Sequence, residues 1–158
     1  MENERITVRA RLIVIKNGKL LVQYRQKKNF YHYFGGHLDY GETILDTCIR
    51  ETKEECGDDV IFEFKKILYI RDFILKGEDE QSLELFILGD INKFEELEGI
   101  KDSQHPDGSV WLTWLDINNL PDNLFPQPLS KKLLADYNSG FKNTGEYVGT
   151  MNKEGENL

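Results

Sequence analysis

The sequence has little cysteine, little proline, few histidines and no long apolar run. Its 158 residues include two cysteines, Cys48 and Cys56, and four prolines, none before Pro106. Two thiols cannot form a disulfide framework for a chain of this length. They are eight residues apart, about 12 Å along a helix, too far to pair with each other. Both read as core thiols in a reducing compartment, which makes a cytoplasmic protein the expectation. No run of eighteen apolar residues occurs, so no helical membrane span is expected. The first residues, Met1 to Val8, lack the apolar segment of a signal peptide. None of the three histidines has zinc-site spacing. Basic residues are outnumbered 20 to 28, for a net charge of -8. That balance argues against a general nucleic-acid surface, though a metal ion can offset the charge of a nucleotide ligand.

What is present is concentrated in residues 35–58. The stretch opens on Gly35-Gly36, passes through Gly41-Glu42, and closes on Gly57. Thr43 with Asp46 approximates a capping box, so a helix is expected to start there. Gly57 is a suitable stop, because glycine readily takes the positive φ that ends a helix. On a wheel advancing roughly 100° per residue, Glu51, Glu54 and Glu55 share one face. Leu45, Cys48, Ile49, Thr52 and Cys56 fall on an adjacent one, the expected core face. An isolated acidic stripe is most simply a solvated surface. Three converging carboxylates also form an oxygen-only set of the kind that binds Mg²⁺ or Mn²⁺.

The whole stretch decides between these readings. It runs Gly36, five residues, Glu42, seven residues, Arg50-Glu51, two residues, Glu54-Glu55, one residue, Gly57. This resembles the signature of the Nudix hydrolases, which cleave nucleoside diphosphates linked to another group. Thr52 and Asp58 depart from the apolar residues of that signature, without removing a charged group. The resemblance implies a metal site built from Gly36 (through its carbonyl), Glu51, Glu54 and Glu55, with Mg²⁺ or Mn²⁺ as cofactor. It implies that Glu54 or Glu55 adjoins the metal-bound water. Glu42 and Arg50 would form an ion pair that orients the helix carboxylates. It implies a small-molecule nucleotide substrate, no membrane partner, and a homodimer as an arrangement common in the family.

The rest of the chain matches that family in its order of elements. Residues 5–15 read as a strand, Asn17-Gly18 as a hairpin turn, and Lys19 to Arg25 as the returning partner. Val60 to Leu75 reads as one bent strand or two, Ser82 to Ile91 as another, and Val110 to Leu115 as a third. Residues 92–109 read as a polar loop with room for a helical turn. Leu129 to Tyr137 reads as a second helix, with Leu129, Leu133, Leu134 and Tyr137 inward. Hairpins interrupted by two helices imply an α/β (α+β) fold, an α/β/α sandwich with a mixed β-sheet. One domain is expected over residues 1–142, with a polar tail, 143–158, that packs little.

The reaction so implied is metal-dependent hydrolysis of a pyrophosphate bond in a nucleoside triphosphate or another nucleoside diphosphate derivative. The alternative is a non-catalytic Nudix-like module that senses nucleotides or binds a partner. Arg25 and Lys27, with Lys28, form a basic cluster that would attract phosphate, and His37 would touch substrate. The family's general base varies. Glu84, Glu98, Asp102 and Asp107 are all open candidates. The sequence lacks the downstream proline of ADP-ribose-cleaving branches, since Phe73 stands there.

Overall fold

The Asn17-Gly18 turn forms where a hairpin is expected, with φ of 52° and 74° at its two residues. The strands around it divide differently from the expectation. In the computed structural model, which describes residues 4–153, β1 (Ile6–Ile13) and β2 (Ile15–Lys16) belong to different sheets. Only β2 pairs with β3 (Lys19–Arg25) across the turn. Leu12 and Ile13 are fully buried on opposite faces of β1, so this strand needs cover on both sides. It finds it by leaving the hairpin and joining the other sheet.

The remaining elements follow in order: β4 (Phe30–His32), β5 (Gly35–His37), α1 (Ile44–Cys56), β6 (Phe62–Leu75) and β7 (Glu80–Ile91). After a 3-10 turn at Glu95–Leu97 come β8 (Val110–Asp116), β9 (Leu124–Phe125), α2 (Leu129–Asn138) and β10 (Glu146–Gly149). The first sheet has the order β10-β6-β7-β1-β5, with β1 parallel to β7 and antiparallel to β5. The second has the order β2-β3-β4-β9, with β8 also paired to β3. The long β-type run from residue 60 is one strand, β6, bent by register shifts at Phe64/Lys66 and Ile67/Tyr69.

Period-2 alternation sends side chains into two cores. Leu12, Val14, Leu21 and Ile87 pack with Cys48 and Cys56 of α1. Ile13, Leu20, Val22 and Phe86 pack with Leu129 and Leu133 of α2. This is the mixed α+β architecture expected. Both cysteines are free and buried, and burial pushes the Cys48 thiol up to about 12.

The tail beyond Lys142 packs more than expected. The Gly145 amide donates to the Ile67 carbonyl at 2.8 Å, and β10 runs parallel to β6. The exposed edge of β6 offers unpaired backbone groups, and even a polar segment satisfies them. The tail's last residues, 154–158, lie outside the described residues.

Candidate active site

α1 carries the capping box its sequence predicts. The Asp46 amide donates to Thr43 Oγ1 at 3.1 Å, and the Thr43 amide to Asp46 Oδ2 at 2.9 Å. Gly57 ends the helix at φ 126°. The helix is rotated relative to the wheel reading. Leu45 and Ile49 are exposed, whereas Glu51 and Glu55 are buried beside Thr47, Cys48, Thr52 and Cys56. The Thr52 hydroxyl, on the core face, donates to the Cys48 carbonyl at 2.7 Å and so enters the core satisfied. The carboxylate edge therefore faces the protein, against β5.

The glycine pair makes this possible. A Cβ on Gly36 would lie 2.4 Å from Glu51 Oε1, so only glycine lets that carboxylate sit against the backbone. The Gly35 amide donates to Glu55 Oε2 at 2.7 Å. Two carboxylates are thus held at one backbone corner. Burial first, then Glu51 and Asp102, raise the Glu55 carboxyl well above its ordinary range. Burial also raises Glu51, with Arg50 opposing it.

Arg50 organises the rim. Its Nε donates to Glu42 Oε2 at 2.7 Å and its Nη2 to Glu42 Oε1 at 2.9 Å. This forked contact holds the Glu42 carboxyl down to about 2. Nη2 also donates to the His37 carbonyl at 2.9 Å. Nη1 bridges Glu51 at 2.9 Å and Glu54 at 3.3 Å. The guanidinium therefore stands where Glu51 and Glu54 approach one another. Among the described residues, no three His, Cys, Asp or Glu side chains form a ready metal-binding group.

Of the four candidate bases, only Asp102 is brought to the cluster. It is buried, and its charge acts on Glu55. Its loop docks on α1 through Ser103 Oγ, which donates to the Glu54 carbonyl at 2.8 Å. Glu98 is occupied by Thr113 and the Trp114 amide, and Asp107 by Lys27 and Ser109. Glu84 is buried among arginines, as described below.

The basic cluster separates. Lys27 pairs with Asp107 at 2.6 Å on the surface, and Lys28 is exposed. Arg25 instead enters a cavity of about 430 Å³ together with Arg9, Arg11 and Arg71. His37 does not line it but contacts one of its arginines, Nε2 taking a 2.7 Å hydrogen bond from Arg9. Burial first, then the Arg9 charge, lowers its pKa. Sequence reasoning missed Arg9, Arg11 and Arg71. Arg9 and Arg11 did leave a trace: charges at i and i+2 of a largely apolar strand share one face.

A family model described as the NUDIX domain matches residues 6–136. The chain belongs to the NUDIX domain family. The fold agrees. A MutT NUDIX hydrolase from Burkholderia pseudomallei superposes with a TM-score of 0.66 at 19% identity, covering 84% of this chain and 98% of that one. A UDP-X diphosphatase gives a TM-score of 0.65 at 18% identity over 90% of this chain and 66% of that one. An ADP-ribose pyrophosphatase from Streptococcus suis gives 0.63 at 17% identity, over 90% and 98%. At these identities the neighbours speak for the fold. Comparison with curated proteins returns no match.

Proposed function

We propose that this NUDIX protein is a divalent-cation-dependent hydrolase of a nucleoside diphosphate derivative. The observation that carries this reading is the pair of buried carboxylates, Glu51 and Glu55, pressed against the Gly35-Gly36 backbone. Burying like charges side by side is unfavourable unless a cation joins them. The donors are all oxygen, and a glycine lacking Cβ gives them room, so Mg²⁺ or Mn²⁺ fits. Glu51 and Glu55, with Glu54 and the Gly36 backbone, would hold it. When bound, such an ion neutralises phosphate oxygens and acidifies its water.

The chain's own groups supply the rest. Arg50, clamped by Glu42, fixes the height of Glu51 and Glu54 on the helix. Asp102, buried beside Glu55, is the acid outside the helix best located to influence a proton there. Its other contacts orient it: Gln23 Nε2 donates to it at 3.2 Å and the Gln104 amide at 2.9 Å. The arginines of the adjoining cavity attract an anionic substrate towards the carboxylates.

The test is a panel of nucleoside triphosphates, nucleotide sugars and dinucleotides, incubated with Mg²⁺, Mn²⁺ or EDTA. Phosphate, pyrophosphate or nucleoside monophosphate should appear only with a cation. Tight nucleotide binding with no turnover on any member would favour a sensing module instead.

A further inference from the structure

The cavity beside the carboxylate cluster carries more positive charge than its direct ion pairs balance. Arg9, Arg11, Arg25 and Arg71 all line it. They come from β1, β3 and β6, and in the first sheet Arg9, Glu84 and Arg71 lie in one row across three adjacent strands. Glu84 accepts from Arg71 at 2.6 Å and Arg11 at 3.0 Å, with Arg9 at 3.6 Å. Glu80 pairs with Arg9. Among the described residues the four guanidiniums form direct ion pairs with two carboxylates, Glu84 and Glu80, while Asp102 and Glu55 act on Arg25 without contacting it.

Arg25 shows the imbalance most clearly. It forms no ion pair among the described residues, and its protein partners are imidazoles. Arg25 Nε donates to His32 Nε2 at 2.9 Å, and Nη1 to His105 Nε2 at 3.3 Å. Arginine only donates, so both Nε2 atoms act as acceptors in these contacts. His32 then donates through Nδ1 to the Tyr33 carbonyl at 2.9 Å, and His105 through Nδ1 to Asp102 at 3.1 Å. These histidines hold Arg25 in place without neutralising it. Phe73 does the same for two others, with Arg9 and Arg71 at 5.4 and 5.3 Å from its ring centroid. The buried Tyr33 side chain also lines the cavity, and its hydroxyl has no hydrogen-bond partner among the described residues.

Location and size restrict what balances this charge. Arg11 lies opposite Gly35 in the β1–β5 register, so the cavity adjoins the backbone that holds Glu55. Its 430 Å³ suits an organic molecule rather than a lone ion. We propose that the cavity binds a second anionic group of the substrate, a phosphomonoester or carboxylate borne on the part of the molecule away from the diphosphate that is cleaved. The word substrate rests on the hydrolase reading above; the binding does not.

Calorimetry on the metal-free protein in EDTA tests this with two matched pairs. One pair is ADP-ribose with and without a 2′-phosphate, and the other is UDP-glucose against UDP-glucuronate. The member with the extra charge should bind about tenfold tighter in at least one pair, as one charge-assisted contact provides. Preference in the first pair assigns a phosphomonoester, and in the second a carboxylate. Arg25→Gln should abolish the preference, and Arg25→Lys should retain part of it. Equal affinity within both pairs, no measurable binding of either charged member, or a preference unchanged in Arg25→Gln would overturn the proposal. Because no cation or turnover is involved, loss of the hydrolase reading would appear separately, as inactivity on the panel.

Discussion

Glu55 and Glu84 are both buried carboxylates, 6% and 2% exposed, yet they titrate in opposite directions. Burial pushes both up. Around Glu55 the neighbours Glu51 and Asp102 add to that push. Around Glu84, Arg11 and Arg71 outweigh it and hold the carboxyl low. Burial alone therefore does not decide a carboxylate's state; the sign of its neighbours does. One region of the molecule is short of positive charge and the adjoining one has an excess. A metal-bound, anionic ligand would satisfy both.

The contrast breaks most severely at Glu84. Glu84→Gln removes the carboxylate that three arginines share and leaves buried cations facing one another. Stability should fall by about 3–5 kcal/mol, the usual loss when one partner of a buried pair is removed. Urea unfolding measures it, and a variant within experimental error of wild type would mean that solvent already screens the arginines.

The next effect lies at the carboxylate cluster. Glu54→Gln and Glu55→Gln should each lower turnover by about 10²-fold, with the fold intact by circular dichroism. Full activity in the double variant would remove these residues from the chemistry.

A smaller effect sharpens the comparison by its sign. The folded-state carboxyl of Glu55 is raised, so the native metal-free protein binds more protons there than the unfolded chain. That group is harmless below the ordinary glutamate range, and stability falls as pH rises above it, until the raised value is passed. Glu84 is depressed, so its contribution is present above the ordinary range and fades as pH falls through the lowered value. Glu55→Gln keeps an oxygen for the Gly35 amide and deletes the charge. It should therefore unfold at higher temperature than wild type at pH 8, with the difference vanishing near pH 4.

The two regions also differ in how far the sequence reveals them. The carboxylate cluster lies on one helix with its cap, its stop and its glycine corner within residues 35–58, so the fixed spacing of that one stretch, with its resemblance to the family signature, was enough to find it. Rotation of that helix was not local. Leu45 and Ile49 suggested the core face, but the close approach of Glu51 to Gly36 turned them outward. The arginine cavity draws on three strands, and its registry depends on β1 leaving its hairpin to pair with β7. Nothing near Arg71 in sequence points to Arg9. The tail was misread for a related reason: Tyr147 and Gly149 are unremarkable until the edge of β6 is there to pair with them. Asp102 stood out among the candidate bases only once Ser103 was seen docked on the end of α1.

The most direct measurement is thermal unfolding of wild type and a Glu51→Gln, Glu55→Gln variant, at pH 8, with EDTA and then with increasing Mg²⁺ or Mn²⁺. Ligands that bind only the native state raise its melting temperature as concentration grows. Wild type should start lower and climb with the cation, while the variant should start higher and not respond. A wild-type melting temperature indifferent to either cation, or an equal rise in both proteins, would contradict a cation site at the Gly35-Gly36 corner.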